Sequence, residues 1–333
     1  MHVTPTVWII TILATVALLA FDLIVIGRRP HEPSMKECTI AISAYVAMAI
    51  AFGIGVWVTS GARFAGEFFA GWLTEYSLSI DNLFIFVIIM SNLRVPRKYQ
   101  QYALMVGIVL ALVFRGIFIA LGAAAIERFS WIFFVFGAFL IWTAWKLFMD
   151  YLHPEDDDEK TENFAMRWVK RTFPSTPEYH GTKLTIVENG KRLITPMLFV
   201  IIALGSTDLL FALDSIPAIY GLTQQPYLVF TANLFALMGL RQLYFLLGGL
   251  LQRLVYLSLG LAFILCFIAV KLVLHAMHHY HWIGFEVPTL LSLLVIAIAL
   301  TLPAFGYVLL DNLRDMGGDP SGTQQMSLFL EVD

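Results

Sequence analysis

The chain has 333 residues, of which 59% are hydrophobic and only 14% charged, with a formal net charge of −3. Its mean hydropathy is +0.78. Soluble proteins carry about 25% charged residues, so a water-soluble enzyme is excluded and an all-α polytopic membrane protein is indicated. Two cysteines, Cys38 and Cys266, give neither a disulfide framework nor a zinc cluster, and no basic run marks a nucleic-acid partner.

Apolar runs long enough to cross roughly 30 Å of hydrocarbon occupy about 6–26, 38–60, 67–92, 101–125, 129–149, 194–221, 227–250, 254–274 and 287–310. They predict nine spans. Residues 1–26 read as the first span, not as a signal peptide: MHVTPT has no Lys or Arg, no small-residue cleavage site is clear, and Arg28-Arg29 close the run. Asp22, near the inner end of this span, reads as an interfacial carboxylate or an inner-gate ligand. The second span carries Gly53, Gly55 and Gly61, which suit close helix packing. Lys146 and Lys271 end spans five and eight and snorkel toward the interface.

The links after spans 1, 3, 5 and 7 and the C-terminal tail hold most of the Lys and Arg; the opposite loops hold only Arg63 and Arg128. The positive-inside rule then puts the N-terminus outside and the C-terminus in the cytoplasm of a plasma (inner) membrane. The longest polar piece, 150–192, is cytoplasmic and contains EDDDEK and PSTP. It reads as a solvated linker, with metal sensing or partner docking as the alternative. HAMHHYH at 275–281 lies just outside span eight and reads either as loop histidines or as a collector of a transition metal. The tail from Met316 reads as loose chain.

Two stretches carry the chemistry: TEYSLSIDN at 74–82 and TDLLFALDS at 207–215. Each is followed by a second match, ALVFRGIFIALG at 111–122 and ALMGLRQLYFLLG at 236–248, and then by AWKL at 144–147 and AVKL at 269–272. The organisation is therefore spans 1–2 in 1–66, a three-helix unit in 67–149, the loop 150–192, a second unit in 193–274, an outer loop and last span in 275–310, and a tail in 311–333. A unit of three spans must be inverted when repeated, an architecture of secondary transporters with the site near the midplane.

On a regular helix Thr74 and Asp81 share one stripe and Glu75 and Asn82 the next; Thr207, Asp214, Asp208 and Ser215 repeat this. With Asp81 and Asp214 near mid-membrane, the acids form a ladder: Glu75 outermost, then Asp81 with Asp214, then Asp208. Arg115 in the outer half matches Glu75, and Arg241 in the inner half matches Asp208. Pro217 cannot donate to the Leu213 carbonyl, which would add a cation ligand beside Asp214. An acid at the bilayer centre costs roughly 2.5–3.5 kcal/mol, so the central pair calls for a divalent cation, two protons or one shared proton. Oxygen ligands of these types suit Mg²⁺, Ca²⁺ or Mn²⁺. Buried ion pairs that only fix helix packing are the structural alternative. With no phosphate loop, HExxH or nucleophile elbow in the chain, neither an enzyme nor an ATP-driven pump is indicated.

EYSLSIDNLFIF at 75–86, ENGKRLITP at 188–196 and the run TDLLFALDSIPAIYGLTQQPYLVFTANLFALMGLRQLYFLLGGL at 207–250 resemble the TerC/Alx family of integral membrane proteins, over roughly 38–310. The resemblance implies manganese export, including metal supply to secreted enzymes, and places Asp81, Asn82, Asp214 and Ser215 in the family's acidic motifs. It also implies a departure at Gly205, where relatives carry an acid. The expected function is export of Mn²⁺ or a similar hard divalent cation with no permanently bound cofactor, Glu75 and Asp208 serving as relay sites. A non-transporting scaffold in a stress-response or membrane-insertion complex is the rival, and a proton-coupled exporter of a small solute is the third.

Overall fold

The computed structural model describes residues 3–28, 33–152, 176–188, 191–247, 255–285, 287–299 and 301. The chain runs α1 (Pro5–Arg28), α2 (Met35–Ser60), α3 (Ala62–Asn92), α4 (Arg97–Arg128), α5 (Ile132–Leu152), β1 (Thr185–Glu188), β2 (Lys191–Ile194), α6 (Pro196–Tyr220), α7 (Pro226–Met238), α8 (Leu240–Leu247), α9 (Val255–His279) and α10 (Thr289–Ala299). The helix boundaries have local causes. Ser34 and Glu37 form a capping box at the start of α2. Gly61, with φ 96°, lets α2 turn directly into α3. Pro196 and Pro226 open α6 and α7, where the missing N–H costs no hydrogen bond.

Among the described residues seven helices are long and apolar enough to cross a membrane. Shorter apolar helices at Pro5–Phe21 and Thr289–Ala299 lie where the first and ninth spans are expected. Three boundaries differ from expectation. The third helix starts at Ala62, five residues before the apolar run, because Arg63 and Glu67 pair across one turn at 3.0 Å. The seventh run is broken at Gly239 into α7 and α8. The eighth continues to His279, so His275, His278 and His279 belong to its last turns and not to a loop.

The C-terminal part of the 150–192 loop is structured, not a bare linker. β1 and β2 pair antiparallel, with Thr185 opposite Ile194 and Glu188 opposite Lys191. The Tyr179 hydroxyl donates to the Leu93 carbonyl at 2.7 Å, tying this hairpin to the end of α3. Burial pushes the Tyr179 phenol up to about 12. The acidic run at 155–160, Asp22's side chain and the tail from Met316 lie outside the described residues.

Helix packing follows a pattern. α5 packs along α9, α4 along α6 and α3 along α7, while α3 also meets α6 and α4 meets α7. α2 covers α3 and α8, and α1 leans on α4. Contact between α5 and α9 depends on Gly137: a Cβ there would lie 2.8 Å from Val273 Cγ2 and 3.3 Å from the Ala269 carbonyl. α3 and α6 are antiparallel, since Glu67 near the start of α3 accepts from Thr223 just past the end of α6. Large apolar side chains such as Leu13, Trp57, Val58, Trp142 and Trp145 cover the outside. Polar side chains are held within.

Candidate functional site

The interior is organised around Arg115 of α4, which is 1% exposed. Its Nε and Nη2 donate to Asp208 Oδ2 and Oδ1, both at 3.1 Å, a bidentate pair. Nη1 donates to Asn233 Oδ1 at 2.9 Å and to Ser215 Oγ at 3.2 Å, and is ion-paired with Glu75 Oε1. The Asn233 amide is oriented by its own donation to the Val229 carbonyl at 3.0 Å. One guanidinium thus joins α3, α4, α6 and α7.

Two carboxylates against one guanidinium leave one negative charge in excess, and every group concerned is buried. Glu75 Oε2 and Thr74 Oγ1 have no hydrogen-bond partner among the described residues. A buried carboxylate oxygen without a partner costs several kcal/mol unless a cation or proton meets it. Both orphaned atoms are hard oxygen donors, the type that suits Mn²⁺, Mg²⁺ or Ca²⁺.

The structure rearranges the expected ladder. Asp208 is the thirteenth residue of the 25-residue α6, its midpoint, and Glu75 is the fourteenth of 31 in α3. The pair at mid-bundle is therefore Glu75 with Asp208, and not Asp81 with Asp214. The early start of α3 shifts its centre toward Glu75. In the antiparallel pair, Asp214 lies on the Glu67 side of this centre and the Asp81 backbone on the opposite side. Asp81's side chain is outside the described residues. Asp214, half-buried, accepts from Thr143 Oγ1 of α5 at 3.0 Å. It lies about 9 Å along and roughly 240° round α6 from Asp208, which separates it from the Arg115 cluster.

The second charge assignment is also corrected. Asp208 is held by Arg115, not by Arg241. Arg241 is buried in α8, with Nη1 3.7 Å from Met105 Sδ. With the Gln242 amide oxygen turned toward it, Arg241 Nη2 donates at 2.7 Å. Arg241 lies on α8, which packs on α2, α3 and α4. Asn82 is buried in α3. Pro217 sits in the last turn of α6, and the Leu213 side chain is exposed on the bundle exterior, while its carbonyl has no α-helical donor. Gly205 packs on Leu110, at 3.4 Å from an added Cβ.

Sequence reasoning passes over Asn233, Thr143 and Glu67. Asn233 stands in an apolar run two residues after Thr231 and eight before Arg241. Glu67 precedes Thr74 by seven and so continues the Thr74–Asp81 stripe, the signal that marks it. The histidines after Lys271 do not converge: His275 meets Gln224 Nε2 at 2.5 Å and His279 approaches Ser130 Oγ at 3.5 Å. Among the described residues no three His, Cys, Asp or Glu side chains are grouped to hold a metal.

Comparison with known proteins identifies the family. Residues 60–311 match the integral membrane protein TerC family. An uncharacterised membrane protein of Mycobacterium tuberculosis (strain H37Rv) is 47% identical over 279 residues, 84% of this chain and 70% of that protein. The chloroplastic thylakoid membrane protein TERC of Arabidopsis thaliana is 38% identical, over 81% of this chain and 68% of its own. Alx of Salmonella typhi, provisionally named a membrane-bound redox modulator, is 36% identical, over 83% and 88%. No solved structure matches. Family match, helical architecture and buried acidic motifs together establish that the chain belongs to the integral membrane protein TerC family.

Proposed function

We propose that this protein is a carrier that exports a hard divalent cation, Mn²⁺ foremost, by alternating access through the buried centre formed by Glu75, Asp208 and Arg115. The observation that carries it is the unpartnered Glu75 Oε2 in a site with one negative charge in excess, the Thr74 hydroxyl one residue earlier in α3 being unpartnered as well. Asp81 and Asp214 flank the centre on its two sides and relay the ion, the reverse of the order expected from the sequence. Asn82 and Ser215 add oxygen ligands. Arg115 keeps the two carboxylates apart from each other and holds the empty centre together.

The helix packing supports an inverted repeat. Exchange of α3 with α6, α4 with α7–α8 and α5 with α9 maps the packing pairs onto one another: α4 on α6 becomes α7 on α3, and α5 on α9 returns to itself. Such a pair of units can rock about a fixed midplane site. The bias of Lys and Arg supports an outside N-terminus, a cytoplasmic C-terminus and a plasma-membrane location. The redox name of the Salmonella relative finds no thiol pair here: Cys38 is buried in α2 and Cys266 exposed on α9, both free.

The test is total cellular manganese by elemental mass spectrometry after a manganese load. Cells carry the wild type, E75Q/D208N, D81N/D214N or no protein. Lower manganese with wild type alone is expected. Equal manganese in all cells, with the proteins present in the membrane, would remove export and favour the scaffold.

A further inference from the structure

A cavity of about 280 Å³ lies at the end of the bundle where α3 begins and α6 and α9 end. Its lining sets two cationic side chains, Arg63 of α3 and Lys271 of α9, against one carboxylate, Glu67. That carboxylate is already engaged at both oxygens. Glu67 is 4% exposed, its Oε1 accepts from Arg63 Nε at 3.0 Å and its Oε2 accepts from Thr223 Oγ1 at 2.7 Å. The bond to Glu67 uses one of the five N–H donors of Arg63 and fixes the guanidinium in place. The Arg63 side chain is 77% exposed, so a ligand arriving from outside the bundle can reach its other donors. Lys271 adds an ammonium, which carries three donors.

We infer that this cavity binds a phosphate group, carried by a lipid headgroup or free in solution, with Arg63 and Lys271 as its charged contacts. The inference goes beyond metal transport and does not depend on it. The charges of the lining select an anion, since two positive groups face one negative group that is already paired. The helix ends agree. Arg63, Gln225 and Thr289 line the cavity at the starts of α3, α7 and α10. Neither α3 nor α7 has a side-chain cap, so each presents N–H groups and the positive end of its dipole. Against these, α6 ends at the wall, and α9 runs on for a turn past His275, the distance over which a dipole fades.

The surroundings put the site at the depth of lipid headgroups. The His275 ring on the cavity wall meets Phe133 edge to face, with centroids 5.1 Å apart. The next residue, Phe134, stacks on Tyr280 at 6.1 Å and meets Trp282 at 6.0 Å. Trp282 is 67% exposed and Phe285 59%. Exposed Trp and Tyr collect where hydrocarbon meets water, so this aromatic group marks that boundary beside the cavity. A phosphodiester carries a single negative charge, which matches the single positive charge in excess. Arg63 can grip two of its oxygens in parallel and Lys271 acts as a point charge. Phe64 and Leu272 on the same wall offer apolar surface to the glycerol of a lipid.

The experiment uses purified full-length protein in detergent with chelator present. Native mass spectrometry reads the binding of phosphatidylglycerol, with a glucosyl diacylglycerol of the same acyl chains as the phosphate-free control. Equilibrium dialysis reads the binding of radiolabelled inorganic phosphate. Wild type is expected to bind phosphatidylglycerol more tightly than the glycolipid. Arg63→Gln and Lys271→Gln each weaken that binding about tenfold, the loss of one charge-assisted contact. Arg128→Gln, at an exposed cation that ends α4 and is not on the cavity wall, leaves it unchanged. Inorganic phosphate that binds with the same two losses, without preference between the lipids, makes the soluble ion the source and supports the phosphate site. Binding of both phosphate forms that is unchanged in Arg63→Gln and Lys271→Gln overturns the inference. An equal loss in Arg128→Gln reduces the effect to general surface charge and also overturns it. Should Lys271→Gln fail to fold, Arg63→Gln, at an exposed side chain, decides alone.

Discussion

Replacing Arg115 by Met tests the balance of buried charge. The side chain is 1% exposed and makes two bonds to Asp208, one each to Asn233 and Ser215, and the pair with Glu75. Met fills much of the same volume but leaves two buried carboxylates unopposed. Removing one partner of a buried ion pair costs about 3–5 kcal/mol. At roughly 2 °C per kcal/mol, the lower end of the scale for larger domains, the melting midpoint falls by about 6–10 °C. The assay is intrinsic tryptophan fluorescence on heating in detergent, for which the chain has eight tryptophans. Because the loss comes from uncompensated charge and not from packing, the triple variant R115M/E75Q/D208N recovers most of it. A midpoint for R115M within a degree of wild type, or a triple variant no more stable than R115M, would refute the charge account.

Other outcomes follow from the same structure. Glu75→Gln alone removes the excess charge, so the metal-free protein melts higher than wild type while export is lost; heating in chelator beside the manganese assay checks both. Mn²⁺ at about a hundred times its dissociation constant stabilises the wild type by about 2.7 kcal/mol, and E75Q/D208N shows no such shift. Gly221→Ala places a Cβ 2.5 Å from Ile268 Cγ2 and 3.2 Å from the Ala218 carbonyl. It lowers the midpoint by an amount equivalent to about 1–3 kcal/mol, and Ile268→Ala in the same chain restores part of it. Tyr179→Phe unpairs the Leu93 carbonyl and speeds proteolysis of 176–194. The raised phenol means that the bond is fully present below the unfolded value of about 10 and is lost as pH rises through about 12. The difference between wild type and Tyr179→Phe is therefore constant from pH 7 to about 10.

The spans were legible because lipid demands long apolar runs, and the acid pairs because charge inside such runs is rare. Arg63 and Glu67 concealed the true start of α3, since each charge reads as solvent-exposed until its partner one turn away is counted. That error displaced the apparent centre toward Asp81. Arg115 was recognisable as a counterion for Glu75, but its reach to Asp208, 93 positions later in the chain, depends on how α4 lies on α6. Periodicity ranks the faces of a helix and says nothing of which neighbour covers them. Thr143 shows the same limit: only the packing of α5 against α6 reveals that Asp214 turns toward it. The pairing of 185–188 with 191–194 is hidden in the sequence because the acidic first half of the loop dominates its composition.

The charge distribution around Arg115 also bears on biogenesis. Glu75 and Arg115 emerge from the ribosome on the consecutive helices α3 and α4 and can neutralise each other as soon as those helices enter the bilayer. Asp208 arrives later, and its bidentate counterion already lies on α4. The second half therefore cannot bury Asp208 in this geometry unless the first half is in place to receive it. Expressed by itself, the segment from the loop onward would insert with an exposed acid in α6, its first membrane-spanning helix, and become a substrate for quality control. Supplied with the N-terminal half in the same membrane, it would acquire the missing guanidinium and be rescued. The order of synthesis, N-terminal unit first, is thus the order in which the buried charges can be paid off.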